Sequence, residues 1–390
     1  MSKSPFWLKA TLLLASTLTI MAGAIIAPGL PEMSKFFEGT APQVYVKAIL
    51  TMPAISIVLF SSLVGLLADR IGRKKLLLIA LLIYGLSGVS GLVISNIYLL
   101  LLSRFVLGIG VAGIMNTATA LVGDYFVAEE RSRFLGLQAS FMSIGGIVFL
   151  NAGGVLAEWS WRGPFGLYAL AFIIIPLAIY YLPVVQTTNN TSKENSTGST
   201  LSPKKRKKVI KVFLLGFLGM LFFYLIPVQI PFLLKNNFNL SATLVGIAIS
   251  IATLTGALAS LSFRKIGKHL SPTKIYALTF FCFGLGYLLI GFGENHFFIF
   301  LGLAISGAGT GLMMPNGNFI LLALLPESIK GKWLGGLTSA IFLGQFLSPL
   351  VIASIVAKQG IQVGFILIAV LSLLLTVLLT FSKSNFRVEQ

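Results

Sequence analysis

Charged residues are scarce in this sequence: only 10% of its 390 residues are Asp, Glu, Lys or Arg. A soluble domain typically carries about 25% charged residues. Hydrophobic residues make up 56% of the chain, which is more than a water-soluble fold of this length could remove from solvent. The composition therefore excludes an ordinary soluble protein and favours a chain that crosses a membrane several times.

Cysteine and histidine are also rare. The single cysteine, Cys282, cannot form an internal disulfide or a metal cluster, so cysteine use says nothing about the compartment. The two histidines, His269 and His296, fall in loops predicted on opposite sides of the membrane. The sequence shows no Ser-His-Asp set, phosphate-binding loop or metal-ligand cluster, and a hydrolase needs its nucleophile and base together. We therefore expect neither an enzyme nor a bound cofactor.

Long apolar stretches are what the sequence does contain. A membrane-spanning helix needs about 20 mostly apolar residues, and a hydropathy pass finds twelve such stretches, numbered here as spans 1 to 12. They lie near residues 7–31, 45–66, 76–94, 97–123, 134–157, 163–183, 209–234, 240–262, 274–292, 297–323, 333–356 and 361–381. Span 1 lacks a small-residue cleavage site and runs directly into further spans, so we expect it to be retained.

The net charge of +18 is high enough to suggest nucleic-acid binding. The positions of the basic residues along the chain argue against that interpretation. With the N-terminus inside, the cytoplasmic segments hold most of them: Lys3, Lys9, Arg70, Arg73, Lys74, Lys75, Arg131, Arg133, Lys204–Lys208, Arg264, Lys265, Lys268, Lys274, Lys330, Lys332, Lys383 and Arg387. The external side keeps only Lys35, Lys47, Arg162, Lys235 and Lys358. This asymmetry follows the positive-inside rule and predicts that both termini are cytoplasmic. Basic charge here sets topology, and nucleic acid is not an expected partner.

One long polar segment divides the chain. Residues 186–208 have no apolar periodicity and predict a cytoplasmic linker between a first six-helix bundle, residues 1–185, and a second, residues 209–390. The basic run Lys204–Lys208 at its end resembles a nucleic-acid patch in isolation. Just before a span, it favours contact with anionic lipid headgroups instead.

A repeat with a constant offset of 199 residues relates the two halves. The offset carries Pro28 onto Pro227, Gly108 and Gly110 onto Gly307 and Gly309, and Arg131, Arg133, Leu135 and Gly136 onto Lys330, Lys332, Leu334 and Gly335. Any single match could occur by chance, but three separate segments share one offset. Two parallel halves are what a transporter needs to rock about a central site.

The strongest local motif joins spans 2 and 3 and reads Gly65-Leu-Leu-Ala-Asp69-Arg70-Ile-Gly72-Arg73-Lys-Lys75. It resembles the signature loop of the major facilitator superfamily, G-x-L-a-D-R-x-G-R-K. We expect Gly65 to permit close helix approach and Gly72 to permit a tight reversal. The resemblance implies an all-α membrane fold of two pseudo-symmetric six-helix bundles. It also implies a conformational latch made of Gly65, Asp69, Arg70, Gly72 and Arg73, closing against the start of span 11 near Lys330–Trp333.

Span 4 carries Arg104-Phe-Val-Leu-Gly108-Ile-Gly110, which is similar to the R-x-x-x-G-x-G pattern of proton-driven members of that superfamily. An arginine within a span is a candidate functional residue, although it could instead extend outward to the nearby membrane surface. The drug:proton antiporter group usually adds G-P-x-x-G-G at the end of span 5. Here Gly153 and Gly154 remain and the Gly-Pro is missing, which weakens the resemblance to that group.

Proton coupling requires a group that titrates. Arginine stays protonated, so the leading carrier is Glu32, which closes span 1 after Pro28 and Pro31. We expect Arg104 to stabilise its ionised form. Glu32 could equally be a solvated helix end, and Asp124 is the next candidate carrier.

Polar and aromatic residues midway along the spans that line the pathway of this superfamily predict the solute cavity. They are Asn116, Gln138, Phe141, Asn151, Tyr224, Gln229, Asn316, Asn318, Phe342 and Gln345. Each polar member of this set could instead form a hydrogen bond to a neighbouring helix, an interaction worth only about 0.6 kcal/mol on average in membranes. Together they describe an uncharged lining that suits an amphiphilic or weakly polar solute better than a phosphate or a dicarboxylate.

The sequence therefore predicts a monomeric multi-pass transporter of a bacterial inner membrane, with a small-molecule substrate, protons and membrane lipids as partners. Proton-coupled export of an amphiphilic or weakly polar compound by alternating access is the preferred function. Import of a sugar or another nutrient, and a non-transporting membrane receptor, remain alternatives.

Overall fold

The computed structural model describes residues 5–184 and 201–382. Within these residues the chain forms helices and no strand. Twelve helical segments are long and apolar enough to cross a membrane, which confirms the predicted number of spans. The α-helices are α1 (Pro5–Ala24), α2 (Leu30–Phe36), α3 (Gln43–Ile71), α4 (Arg73–Val89), α5 (Ile97–Tyr125), α6 (Ala128–Trp159), α7 (Leu170–Tyr181), α8 (Pro203–Phe223), α9 (Leu225–Phe238), α10 (Ala242–Ile266), α11 (Pro272–Phe292), α12 (His296–Leu324), α13 (Glu327–Gln359) and α14 (Ile361–Phe381). Three 3-10 segments cover Ala27–Gly29, Ser90–Leu92 and Gly163–Ala169.

The chain divides into two compact units. The first comprises Met1–Asn190 with Leu240–Ile247, and the second comprises Thr191–Asn239 with Ala248–Gln390. The core of the first unit is built around the fully buried side chains of Tyr84, Phe165 and Tyr168. In the second unit, Phe283 and Tyr287 are stacked with ring centroids 5.7 Å apart.

Spans 1 and 7 are each broken, whereas hydropathy predicted each as one continuous helix. Proline has no amide hydrogen, so it cannot donate to the carbonyl four residues earlier. Helix α1 ends at Ala24, four residues before Pro28, and α8 ends at Phe223, four residues before Pro227. The two breaks are therefore related by the same 199-residue offset as the two prolines.

Spans 4 and 10 show the same repeat at their first turns. Asn96 accepts hydrogen bonds from the amides of residues 98 and 99 at 2.9 and 3.2 Å, which caps α5. Asn295, 199 residues later, caps α12 in the same way, with distances of 3.0 and 3.3 Å. Equivalent helix starts in the two units support the predicted internal repeat.

Glycines set the packing of these two spans inside each unit. A Cβ on Gly108 would lie 2.7 Å from Ser56 Cβ in α3. A Cβ on Gly307 would lie 2.5 Å from Thr255 Oγ1 in α10. Real Cβ contacts do not come so close, so both positions require glycine for the helices to touch. The repeated glycines of the G-x-G pattern are thus points of close helix approach in both units.

The basic run before span 7 lies in a helix rather than in the linker predicted for residues 186–208. Ser202 Oγ accepts a hydrogen bond from the amide of Lys205, and Pro203 occupies the first helical position. Both features start a helix, so Lys204–Lys208 form the first turns of α8. Residues 186–200 of the predicted linker lie outside the described part of the chain.

Candidate functional site

A pocket of about 160 Å³ opens inside the first unit, between α1, α5 and α6. Its lining mixes hydroxyls, an amide and thioethers, and consists of Ser16, Thr19, Met115, Ala118, Thr119, Leu135, Gln138, Ala139 and Met142. A volume of about 150 Å³ is enough to hold an aromatic ring. The pocket is therefore large enough for one ring of an organic solute.

Gln138 is the polar centre of this pocket. Its Nε2 donates to Ser16 Oγ at 2.6 Å, and Ser16 Oγ donates in turn to Leu12 O at 2.7 Å. The carbonyl oxygen of Gln138 thus remains an acceptor, because the amide nitrogen is the group that meets Ser16. The α6 amide is fixed against α1 by this chain of two hydrogen bonds.

The other hydroxyls of the pocket donate to their own helices. Thr19 Oγ1 donates to Ser16 O at 2.7 Å, and Thr119 Oγ1 donates to Met115 O at 2.9 Å. A hydroxyl whose proton is committed in this way offers only lone pairs to a ligand. The pocket consequently presents hydrogen-bond acceptors, beside methionine sulfurs that interact favourably with aromatic rings.

Gln138 is the one predicted cavity residue that lines this pocket. The signal for it was an amide within a span. The hydroxyls and methionines beside it were missed, because single Ser, Thr and Met residues within spans are common packing residues. A stronger signal was available in Ser16 and Thr19, two polar residues spaced three apart on one face of α1.

Several other predicted cavity residues bond neighbouring helices. Asn116 Nδ2 donates to Ser61 O at 3.0 Å and joins α5 to α3. The buried Asn316 donates to Pro272 O at 2.9 Å and joins α12 to the start of α11. Asn151 Nδ2 donates to Ile147 O in its own helix at 2.7 Å. The bonds of Asn116 and Asn316 correspond to the alternative role considered for each amide, whereas this bond of Asn151 stays within α6.

The remaining predicted cavity residues differ in exposure. Gln229 and Gln345 are buried, and Phe141 is exposed. Tyr224 stands at the junction of α8 and α9, and Asn318 and Phe342 are partly exposed.

Two basic residues of the loop between α3 and α4, Arg73 and Lys74, contact neighbouring helices. Gly72 has a φ of +92°, the left-handed conformation that the predicted tight reversal requires. Arg73 forms an ion pair with Asp124 at the end of α5 and donates to Ala120 O at 3.2 Å. Lys74 Nζ donates to two carbonyls at the end of α7, at 2.8 and 2.6 Å. The start of α4 is thus tied to two other helices of its unit.

Gly65, Asp69 and Arg70 are the other members of the predicted latch. No described atom lies within 4 Å of a Cβ built on Gly65, so the close helix approach predicted at that glycine is wrong. Gly65 is partly exposed, and its helix face meets no neighbour there. Arg70 is exposed at the end of α3. The side chain of Asp69 is outside the described part of the structure.

Arg104 is fully buried, so it does not extend outward to the membrane surface. Its Nη2 donates to Ser87 O at 2.7 Å and to Gly88 O at 2.9 Å. No carboxylate is among the contacts of Arg104 within residues 5–184 and 201–382. Glu32, in the first turn of α2, forms an ion pair with Lys35 at 3.4 Å. The two residues predicted for proton coupling therefore have different partners.

Comparison with known proteins gives one family and several relatives. The model of the Major Facilitator Superfamily matches residues 12–230 and 212–389. The bacillibactin exporter of Bacillus subtilis (strain 168) is 27% identical over 391 residues, covering 95% of this chain and 94% of that protein. The class E tetracycline resistance protein of Escherichia coli is 28% identical over 351 residues, covering 86% of this chain and 84% of that protein. The crystal structure of a D-xylose-proton symporter superposes with a TM-score of 0.77 at 14% identity, over 99% of both chains.

Proposed function

Since the chain belongs to the Major Facilitator Superfamily, we propose that it is a proton-coupled exporter of a small amphiphilic or weakly polar organic compound, rather than an enzyme. Alternating access of a solute site to the two sides of the membrane is the mechanism proposed. The observation that carries the proposal is the pocket around Gln138, which combines ring-sized volume with acceptors and methionine sulfurs.

The lining of the pocket indicates which solute would bind. Because its hydroxyl protons are committed to helix carbonyls, the hydroxyls can only accept hydrogen bonds from a solute, while the second N–H of Gln138 Nε2 can donate one. An aromatic ring carrying hydroxyl or N–H groups satisfies the acceptors and packs on Met115 and Met142. A phosphate or a dicarboxylate offers acceptors to acceptors and is disfavoured.

The direction of transport is proposed from relatives. A bacillibactin exporter and a tetracycline resistance protein match most of the chain, and the first name states export. The symporter shares the fold at low identity and so supports no substrate.

Proton coupling is proposed to use Glu32. This carboxylate lies just beyond the break in span 1 and forms an ion pair with Lys35 of the same helix. Movement of α2 about the break would expose the carboxylate alternately to the two sides of the membrane and link proton binding to the transport cycle. We further propose an inner-membrane monomer with both termini in the cytoplasm, from the asymmetry of basic residues.

The test uses purified full-length protein in liposomes with imposed pH gradients. The probes are labelled tetracycline, a neutral catechol and D-xylose. Proton antiport predicts uphill accumulation of an aromatic probe when the vesicle interior is acidic. Accumulation of D-xylose driven by an acidic exterior would instead indicate import. A protein that moves none of the probes under either gradient would contradict the proposal and favour the receptor.

A variant pair tests the pocket. Gln138→Ala removes the pocket amide and should raise KM about tenfold, since a lost pair of hydrogen bonds is worth roughly 1 to 2 kcal/mol. Ser140→Ala is the matched control on the same helix, because Ser140 is exposed and donates only to Gly136 O. An unchanged KM for Gln138→Ala would show that the solute binds elsewhere.

A further inference from the structure

The break in span 1 leaves main-chain carbonyls in a buried place. Helix α1 ends at Ala24 and α2 begins at Leu30, and Ile25, Ile26 and Ala27 between them are buried. The last four carbonyls of a helix have no hydrogen-bond donor within that helix. The hydrocarbon of a membrane contains no water that could donate to them instead. Donors from other helices are therefore needed at this position.

Two buried tyrosines provide donors to α1. Tyr168 Oη donates to Ala22 O at 2.9 Å, and Ala22 is within the last turn of α1. Tyr84 Oη donates to Leu18 O, one turn earlier, at 2.7 Å. The two rings are neighbours, with centroids 5.5 Å apart, and both side chains are fully buried. The broken span is thus bound to α4 and to the 3-10 segment that precedes α7.

Arg104 fixes the position of one of these rings. Its guanidinium carbon lies 5.0 Å from the centroid of Tyr168 and 4.8 Å from that of Phe165, a cation–π arrangement. Its hydrogen bonds go to Ser87 O and Gly88 O. Helix α4 ends at Val89, so both carbonyls belong to its last turn, and Ser87 O also accepts a hydrogen bond from Ser90 Oγ at 2.7 Å. Arg104 therefore caps α4 and holds Tyr168 with the same group.

Glycine allows Tyr168 to approach α4 closely. A Cβ on Gly88 would lie 2.5 Å from Tyr168 Cγ, so Tyr168 packs directly on the backbone of α4. Tyr168 thus contacts both this backbone and the guanidinium of Arg104. Its hydroxyl is consequently aimed at Ala22 O with little freedom.

In the second unit, a tyrosine also donates to a helix-end carbonyl at the break, but no arginine among the described residues contacts that tyrosine. Helix α8 ends at Phe223, and Tyr287 Oη of α11 donates to Phe222 O at 2.7 Å. Tyr287 is fully buried, with its ring 5.2 Å from that of Phe365. The residue 199 positions after Arg104 is Leu303, which is buried and uncharged. Each of the two breaks thus receives a tyrosine hydroxyl, and within residues 5–184 and 201–382 only the tyrosine at the first break contacts a cation.

We propose that Tyr168 and Tyr287 are positioning residues that set the geometry of the breaks in spans 1 and 7, and that Arg104 acts through Tyr168. The segment beyond the first break is α2, which carries Glu32, and the segment beyond the second is α9. The hydroxyl bonds control how readily these segments swing relative to α1 and α8. Their role in transport rests on the proposed function, but the hydrogen bonds do not.

The experiment measures amide hydrogen exchange in purified full-length protein without solute. Tyr168→Phe should speed exchange at residues 25–30 about three- to tenfold, the effect of one lost buried hydrogen bond. Tyr287→Phe should do the same at residues 224–228 and leave residues 25–30 unchanged. Tyr276→Phe is the matched control: Tyr276 is fully buried in α11, and its hydroxyl has no hydrogen-bond partner among the described residues. If Tyr168→Phe and Tyr287→Phe exchange as Tyr276→Phe does, the proposal is wrong.

Arg104 is tested with two substitutions. Arg104→Lys keeps the charge without the flat guanidinium, and Arg104→Leu copies the residue of the second unit. Both should speed exchange at residues 25–30 and leave span 7 unaffected. In transport assays both should lower the maximal rate at every pH, with KM and the pH midpoint unchanged. A shifted pH midpoint with unchanged exchange would make Arg104 a coupling group and overturn the inference.

Failure of the proposed function can be distinguished from failure of the inference about the tyrosines. Exchange needs no solute, so wild-type protein that moves no probe refutes the proposed function and leaves the exchange result standing. If Arg104→Leu does not fold, the two tyrosine variants still decide the inference.

Discussion

Replacing Gly307 with alanine should destabilise the second unit, because the added carbon has no room. The new Cβ would lie 2.5 Å from Thr255 Oγ1, 2.6 Å from Ala252 Cα and closer still to Ala252 O. Main-chain atoms cannot rotate away, so α12 and α10 must separate. Overpacking a core by one carbon costs about 1 to 3 kcal/mol, and the rigid neighbours here favour the upper end.

Helix propensity offsets part of this cost. Alanine is better than glycine in a helix by roughly 0.5 to 1 kcal/mol, which leaves a net loss of about 2 kcal/mol. For a unit of this size, 1 kcal/mol shifts Tm by about 2 to 4 °C, so Tm should fall by about 4 to 8 °C. The assay is fluorescence-monitored thermal unfolding of the purified protein in detergent.

The control is Gly335→Ala in α13 of the same unit. Nothing lies within 4 Å of a Cβ at Gly335, which is exposed, so only the propensity gain applies. Its Tm should stay the same or rise by about 2 °C. If Gly307→Ala unfolds at the same temperature as this control, close backbone packing at the repeated glycine does not stabilise the fold.

Three shorter predictions concern the cycle and the topology. Asp69→Asn should reduce transport severalfold with near-normal membrane insertion, since losing a charged contact worth about 0.5 to 2 kcal/mol shifts a balanced equilibrium; wild-type turnover would count against a latch. Glu32→Gln should abolish pH-driven uphill export while downhill exchange continues, and uphill export that persists would place the coupling group elsewhere. In a Cys282→Ser background, cysteine at Asn237 should react with an impermeant thiol reagent in intact cells and cysteine at His269 should not; the opposite labelling would reverse the topology.

Hydropathy and the repeat predicted the number of spans and the two-half organisation, but not the crowding at the repeated glycines. They missed the breaks in spans 1 and 7 even though Pro28 and Pro227 were recognised as repeat partners. A proline shows where a hydrogen bond is lost, but the broken carbonyls are satisfied by distant donors. Tyr168 is 146 residues away from Ala22 in sequence, and no local pattern connects them.

The candidate site was predicted only in part, for a related reason. Gln138 was recognisable because an amide inside a span is costly and rare. Ser16 and Met115 are not unusual residues within a span. They line the pocket only because particular faces of three helices meet there. Arg104 was recognisable as unusual, but its contacts depend on where α4 ends, which hydropathy does not report.

The burial of Arg104 also bears on how the protein enters the membrane. Inserting an arginine at the centre of a helix costs about 2.5 to 3.5 kcal/mol when nothing compensates for it. Its carbonyl partners stand 17 and 16 residues earlier, in the span synthesised just before it, whereas Phe165 and Tyr168 emerge from the ribosome later. We therefore expect α4 and α5 to leave the insertion machinery together as a hairpin. Removing the α4 span should then strand α5 outside the bilayer, a defect of biogenesis that precedes any transport cycle.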